Sequence, residues 1–236
     1  MIKSAETNEE ILARIGHDLK GMLARIRSCN YTLFKNFENE IDDENRKFFE
    51  TIERDCTTIK SIIHNLISVD RCLEEDPLQQ PRPVIINRIV KQVAERYPAS
   101  LSKSKDVKVI FEDLEEEATI YMDEVAIRRV IEQLLSNAVK YSIPGTEVIV
   151  KLVKYANVIN ISVSDQGIGI PKRLRPYIFS KFSKATRRGT EGEESSGLGL
   201  YLAKKIVERH QGSIWYESEE GQGTNFFVNL PIRDRI

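Results

Sequence analysis

No stretch of this chain approaches the roughly 18 consecutive apolar residues that a membrane-crossing helix needs. The opening MIKSAETNEE has neither the basic nor the apolar segment of a secretory signal, so the expectation is a cytoplasmic protein with no membrane segment in this chain. Cysteine is scarce: three residues, an odd number without a CxxC spacing, suit a reducing compartment better than a disulfide framework. Histidine is equally scarce at three, and His64 and His210 have no metal-like spacing to cysteine or to each other. Both read as ordinary helix residues. A charge excess is missing too, since 35 Lys and Arg stand against 36 Asp and Glu. That balance gives no overall electrostatic reason to expect nucleic acid or an anionic membrane as partner.

What is present is an ordinary globular balance, 41% hydrophobic and 30% charged in 236 residues, enough for one or two domains with a real core. Leu12, Ile15, Leu19, Met22, Ile26, Cys29 and Leu33 follow at steps of 3, 4, 3, 4, 3 and 4, the a/d seam of a heptad repeat. With Ile15 at d, His17 falls at f, pointing away from the seam toward solvent. Phe49, Ile52, Cys56, Ile59, Ile63 and Leu66 repeat the pattern after the acid-rich turn NFENEIDDEN. Cys29 and Cys56 therefore read as packing residues. Two long amphipathic helices joined by a short loop make an antiparallel hairpin, which cannot bury two wide apolar faces alone. A homodimeric four-helix bundle is the expected solution.

The pattern breaks after Asp70, and CLEEDPLQQPRP with its three prolines reads as a linker. The expected division is 1–72 hairpin, 73–83 linker and 84–236 second domain. In the last, VIINRIVKQVAERY is helical, VKVIF and ATIYM are strands, and Asp123 caps a helix running to about Lys140. TEVIVKLVKY and VINISVSD alternate like a hairpin, GLGLYLAKKIVERH is a helix, and SIWYES with TNFFVNL closes the sheet. The chain is α+β, its second domain a mixed sheet covered by helices.

Chemistry concentrates there. DQGIGIP ends a strand with Asp165 and turns at Gly167 and Gly169; SSGLGL places Gly197 and Gly199 at a helix start, where free N–H groups and the positive dipole end suit phosphate. GQGT is a further glycine turn that reads as structural. In QLLSNAVKYS, residues Gln133, Asn137, Lys140 and Tyr141 lie at i, i+4, i+7 and i+8 on one helical face. Amides, an ammonium and an aromatic ring on one face suit a metal–phosphate group beside a base. SKATRRGTEGEESS, 183–196, has almost no apolar content and is not expected to hold one packed shape; in a lid over a nucleotide Lys184, Arg187 and Arg188 would be within reach of phosphate, with simple solvated charge the equal alternative for the two arginines.

In this order the set resembles the catalytic core of a sensor histidine kinase: a HisKA-type dimerisation and phosphoacceptor hairpin, then a Bergerat (GHKL, HATPase) α/β sandwich. HDLK resembles the H-box, QLLSNAVKYS the N-box, DQGIGI the G1 box, IFSKF the F-box and SSGLGL the G2 box. The resemblance implies that His17 is the phosphoacceptor and that Asp18 orients its ring and takes its other proton. It implies that Asn137, with Gln133 as a second candidate, holds Mg²⁺, that Lys140 meets phosphate and that Tyr141 lies against adenine. Asp165 would accept the adenine amino group, Gly167 and Gly169 would leave room for the nucleotide, and Ser196, Gly197, Leu198 and Gly199 would receive the phosphates. Phe179 and Phe182 would anchor one end of the lid. The implied cofactors are ATP and Mg²⁺. The implied partners are a second copy and a response-regulator receiver domain, with input from an upstream sensor domain or a separate sensor protein.

The chain departs from the family at several positions. Gly21 stands where a Thr or Asn usually positions the hydrolytic water, so phosphatase activity is expected to be weak. Met22 replaces the proline that bends the helix past the histidine. Gln133 replaces a frequent Asn, and Ser195 the leading Gly of the G2 box, which is expected to stiffen the lid hinge. A gyrase-type hydrolase uses a glutamate at the place of Gln133, and Glu132 is rotated about 100° off that face. Hydrolysis is therefore disfavoured. A dimeric scaffold that binds ATP unproductively is the non-enzymatic alternative.

Overall fold

The computed structural model describes residues 8–38, 40–73, 81–96, 106–183, 185, 187–190, 195 and 197–233. The chain divides into two units, 1–74 and 75–236.

The first unit is a hairpin of α1 (Asn8–Phe37) and α2 (Asp43–Leu73). Asp42 accepts the Asn45 N–H at 2.7 Å, and Asp43 and Glu44 follow in the first turn, so an acidic cap and the helix dipole act together at the start of α2. No proline interrupts α1, which runs unbroken through Gly21 and Met22. The heptad period is real, but on α1 the residues buried within one chain lie one position beyond the expected seam, whereas on α2 the buried Cys56 and Ile63 are seam positions. Gly16, Leu23 and Asn30 are buried, at intervals of seven, and Leu23 clusters with Cys56 and Ile63. Asn30 donates to the Phe49 carbonyl at 3.0 Å, Phe34 meets Phe49 edge-on at 5.6 Å, and Arg27 pairs with Glu53.

Most of the expected seam is exposed instead. Ile15, Leu19, Met22, Ile26 and Leu33 stay 39–50% exposed, as do Ile52 and Ile59 on α2 at 40–45%. Cys29 is exposed as well, contrary to its reading as a packed residue, whereas Cys56 is buried. The reason is geometric: a helix turns one edge of its apolar stripe to a single neighbour and leaves the rest of the stripe facing outward. The side chains of Leu12, His64 and Leu66 lie outside the described residues.

In the second unit, β1 (Arg82–Ile85) pairs antiparallel with β3 (Thr119–Met122), apart from the main sheet. Sequence pattern placed 82–83 in the linker and 84–85 in a helix. The strand forms because its partner lies some 35 residues on, out of reach of any local signal. α3 (Ile86–Arg96) follows at once, and buried Asn87 accepts the Ala118 N–H at 2.8 Å, tying the helix start to β3. The main sheet holds β2 (Lys108–Glu112), β4 (Glu147–Tyr155), β5 (Val158–Asp165), β7 (Gly223–Pro231) and β6 (Ser213–Glu219) in that order, with only β2 and β4 parallel.

Alternate residues of β4, β5 and β7 face inward: Val148, Val150 and Leu152; Ile159, Ile161 and Val163; Phe226, Val228 and Leu230 are all buried. Buried with them are Ile127, Ile131, Leu134 and Leu135 of α4 (Glu124–Tyr141) and Leu202, Ile206 and Val207 of α5 (Gly199–Arg209). Asp123 caps α4 as expected, accepting the Ala126 N–H at 3.0 Å. This two-layer sandwich fixes α4, the end of β5 and the start of α5 relative to one another.

Candidate functional site

The face of α4 chosen from sequence spacing points one way. Gln133 donates to Asn137 Oδ1 at 3.2 Å, and a Cβ on Gly199 would lie 2.2 Å from the Gln133 side chain. With glycine there the Gln133 amide can lie against the start of α5, where any larger residue would push it aside, and Leu198 beside it is buried. At the end of α4, Lys140 Nζ donates to Ser195 Oγ at 2.7 Å, and Tyr141 OH lies 2.8 Å from the same hydroxyl.

The turn after β5 meets α4 through its backbone. Ile168 N–H donates to the Tyr141 carbonyl at 3.1 Å. A Cβ on Gly167 would stand 2.1 Å from that carbonyl oxygen, and one on Gly169, at φ +59°, would stand 2.0 Å from the Glu219 carbonyl. These two glycines make room for the chain's own backbone, a requirement that the spacing alone did not show. Asp165 is buried, 8% exposed, with Oδ1 accepting from Gly167 N–H at 2.9 Å and Thr224 N–H at 3.1 Å. Burial raises its carboxyl to about 6, against the opposing pull of those two N–H groups.

Phe179 packs against Tyr216 and Phe226, with ring centroids 6.0 and 6.5 Å away, and Lys204 of α5 sits over its ring. Phe182 is exposed, with its nearest charge from Lys181, and packs in no described aromatic cluster. Of the two expected anchors, only Phe179 is held in the fold. Ser196 and Lys184 lie outside the described residues.

In the first unit the His17 side chain is 91% exposed, with Nδ1 3.6 Å from Asp18 Oδ1. That is too long for a hydrogen bond but close enough for Asp18 to face the Nδ1 edge rather than Nε2.

Residues 122–234 match the family described as histidine kinase-, DNA gyrase B- and HSP90-like ATPase. Over nearly the whole chain, the adaptive-response sensory kinase SasA of Synechococcus elongatus is 30% identical, covering 95% of this chain and 59% of that protein. The sensor histidine kinase WalK of Bacillus subtilis is 27% identical, covering 98% of this chain and 38% of its own length. Along nearly its whole length the chain is thus similar to sensor histidine kinases, and residues 122–234 match their ATPase domain. It spans about three fifths or less of the length of these relatives. Among solved structures, full-length ShkA in complex with AMPPNP has a similar fold, with a TM-score of 0.71 at 22% identity over 96% of this chain and 46% of that one. The mycobacterial sensor histidine kinase MprB gives 0.56 at 26% identity over 65% of this chain and 99% of that one.

Several residues that shape this site were not expected to do so from the sequence, or were expected only to make a turn. Gly223 lies at φ +95°, where a Cβ would strike the Asp165 carbonyl at 2.0 Å, so the turn read as structural is what seats Asp165. Arg175 donates to the carbonyls of Ile170 and Ser218, and the Ser218 hydroxyl accepts the Ile170 N–H at 2.9 Å. His210 is buried, not an ordinary helix residue. Asp123 N–H donates to its Nε2 at 3.1 Å, so Nδ1 carries the proton and donates to the Ile206 carbonyl at 2.8 Å. It pins the start of α4 to the end of α5, and burial lowers its pKa. Among the described residues no group of three His, Cys, Asp or Glu side chains is arranged to hold a metal ion, and no helix is long and apolar enough to cross a membrane.

Proposed function

We propose that this chain is an ATP-dependent protein histidine autokinase of a two-component system, with the hairpin to about residue 72 as phosphoacceptor, a linker from there to residue 81, and a nucleotide domain that begins with β1 at Arg82. The observation that carries this reading is the exposed imidazole of His17 beside Asp18, in a chain whose other unit belongs to a nucleotide-binding family. Phosphoryl transfer is mainly positioning and charge stabilisation, so the acceptor has to be reachable to about 3–3.5 Å in line. An imidazole inside a bundle could not be.

In the reaction, His17 Nε2 forms a bond to the γ-phosphorus, the bond from that phosphorus to its bridging oxygen breaks, and ADP departs with the electron pair. Asp18, on the Nδ1 side, takes the ring proton. The phosphohistidine then passes its phosphoryl group to an aspartate on a response-regulator receiver domain.

Asp165 is suited to accept the adenine amino hydrogen, and Tyr141 to lie against the ring. Lys140, with the N–H groups of Gly197, Leu198 and Gly199, is suited to the phosphates. The Asn137 amide oxygen fits a hard cation that takes its other ligands from phosphate and water, with Gln133 as the second candidate. Mg²⁺ there would offset phosphate charge. Gln133 lacks the carboxylate a water-activating hydrolase needs, which favours transfer over hydrolysis. The outward apolar stripe of α1 and α2 supports a homodimer in which a second hairpin completes a four-helix bundle.

Incubation with γ-labelled ATP tests the proposal. The wild-type chain is expected to acquire acid-labile, base-stable label and His17→Gln none. Label undiminished in His17→Gln would refute the assignment, and nucleotide binding without any label would support the scaffold reading.

A further inference from the structure

The described lid residues are bonded to the groups assigned to nucleotide. Ser195 Oγ accepts from Lys140 Nζ at 2.7 Å and lies 2.8 Å from Tyr141 OH, so one hydroxyl joins both side chains. The Arg187 guanidinium carbon sits 5.7 Å from the Tyr141 ring centroid, while its Nη2 donates to the Gly169 carbonyl. Tyr141 OH in turn donates to the Arg187 carbonyl at 3.1 Å. Thr190 closes the set: its N–H donates to the Lys140 carbonyl at 3.2 Å, and its hydroxyl to the Ser142 carbonyl at 2.9 Å.

A planar cation over an aromatic ring is favourable, and here it reaches from α4 to the turn after β5. Those are the two elements between which a purine has to enter if Tyr141 and Asp165 bind it. We propose that Arg187 and Ser195 form a latch that competes with nucleotide, Arg187 holding the purine seat on Tyr141 and Ser195 holding the phosphate-binding Lys140. The proposal rests on the nucleotide-site assignment above. Nucleotide binds after the latch opens, so the observed affinity is the intrinsic one reduced by the open fraction. Ser195 stands where the family has glycine, which has no hydroxyl to bridge Lys140 and Tyr141. The latch is a property of this chain, and it sets nucleotide affinity.

The test is calorimetric titration of the full chain with Mg²⁺ and AMPPNP, together with the KM for ATP in autophosphorylation. Removing one of these contacts by Ser195→Gly or Arg187→Ala is expected to tighten binding about fivefold, the equivalent of one ordinary hydrogen bond. KM should fall by the same factor, and Ser195→Thr, which keeps the hydroxyl, should retain the parental affinity. Either of the first two variants binding no tighter than the parent overturns the latch. Asp165→Asn serves as the control: if it binds AMPPNP as well as the parent does, the site assignment itself fails, whereas a sharp loss there with unchanged Ser195→Gly and Arg187→Ala overturns the latch alone.

Discussion

The two units keep their apolar side chains in opposite ways. In the nucleotide domain Ile127, Ile131, Leu134, Leu135, Ile159 and Ile161 are each no more than 1% exposed, while in the hairpin Ile15, Met22, Ile26 and Leu33 are each close to half exposed. A sheet with helices on one face closes its own core. A two-helix hairpin shares one edge of each stripe and leaves the other for association. On the homodimer proposed above, the first unit would draw stability from its partner, whereas the second closes its core within one chain.

The largest expected effect breaks the self-sufficient half. Leu134→Ala, at a fully buried position on α4, should cost about 2–5 kcal/mol, read as a drop in melting temperature that does not vary with protein concentration. A loss below about 1 kcal/mol would mean the core is looser than its burial implies.

The next sharpens the dependent half. Met22→Glu combined with Ile26→Glu puts charge on the outward stripe and should convert a dimer to a monomer by sedimentation, with loss of helical signal from the hairpin and little change in AMPPNP binding. A dimer that persists through both substitutions would place the association surface elsewhere.

The smallest effect is pH-dependent and belongs to the nucleotide domain. In its proposed role Asp165 accepts the adenine amino group more strongly as a carboxylate than as a neutral acid, and burial raises its carboxyl to about 6. AMPPNP affinity should thus be full above pH 7 and weaken as pH falls through 6, by at most about tenfold per pH unit below it. An affinity flat from pH 7.5 to 5.5 would remove Asp165 from base recognition. Folding carries the opposite sign at this residue. Its raised native pKa contributes stability that is full below the unfolded value of 3.8 and lost as pH rises through 6, so the ionised carboxylate that binding favours strains the empty domain. At His210 the native pKa is lowered, so its contribution is full above 6.5 and lost as pH falls.

How much of this was legible in the sequence follows from the range of each interaction. Helix and strand periods are local, and α1, α2, α4, β4 and β5 lie where their spacing puts them. The face of α4 that joins Gln133, Asn137, Lys140 and Tyr141 follows from 3.6 residues per turn alone. On α1 the seam was misplaced by one position while on α2 Cys56 and Ile63 fell where expected, because periodicity reports an apolar stripe without saying which edge of it meets which neighbour. The β1–β3 pairing, the tie between His210 and Asp123, and the bridging hydroxyl of Ser195 all join residues dozens of positions apart. Glycine was recognised at the right places for a different reason. Spacing shows that a Cβ is unwelcome at 167 and 169, but not that the chain's own carbonyls exclude it.

The pinned imidazole of His210 has a chemical corollary. With one ring nitrogen protonated and spent on a carbonyl and the other lone pair taken by a main-chain N–H, it has no electron pair left to attack phosphorus. Of the chain's three histidines, the fold thus withdraws His210 from nucleophilic use while His17, the proposed acceptor, stays exposed.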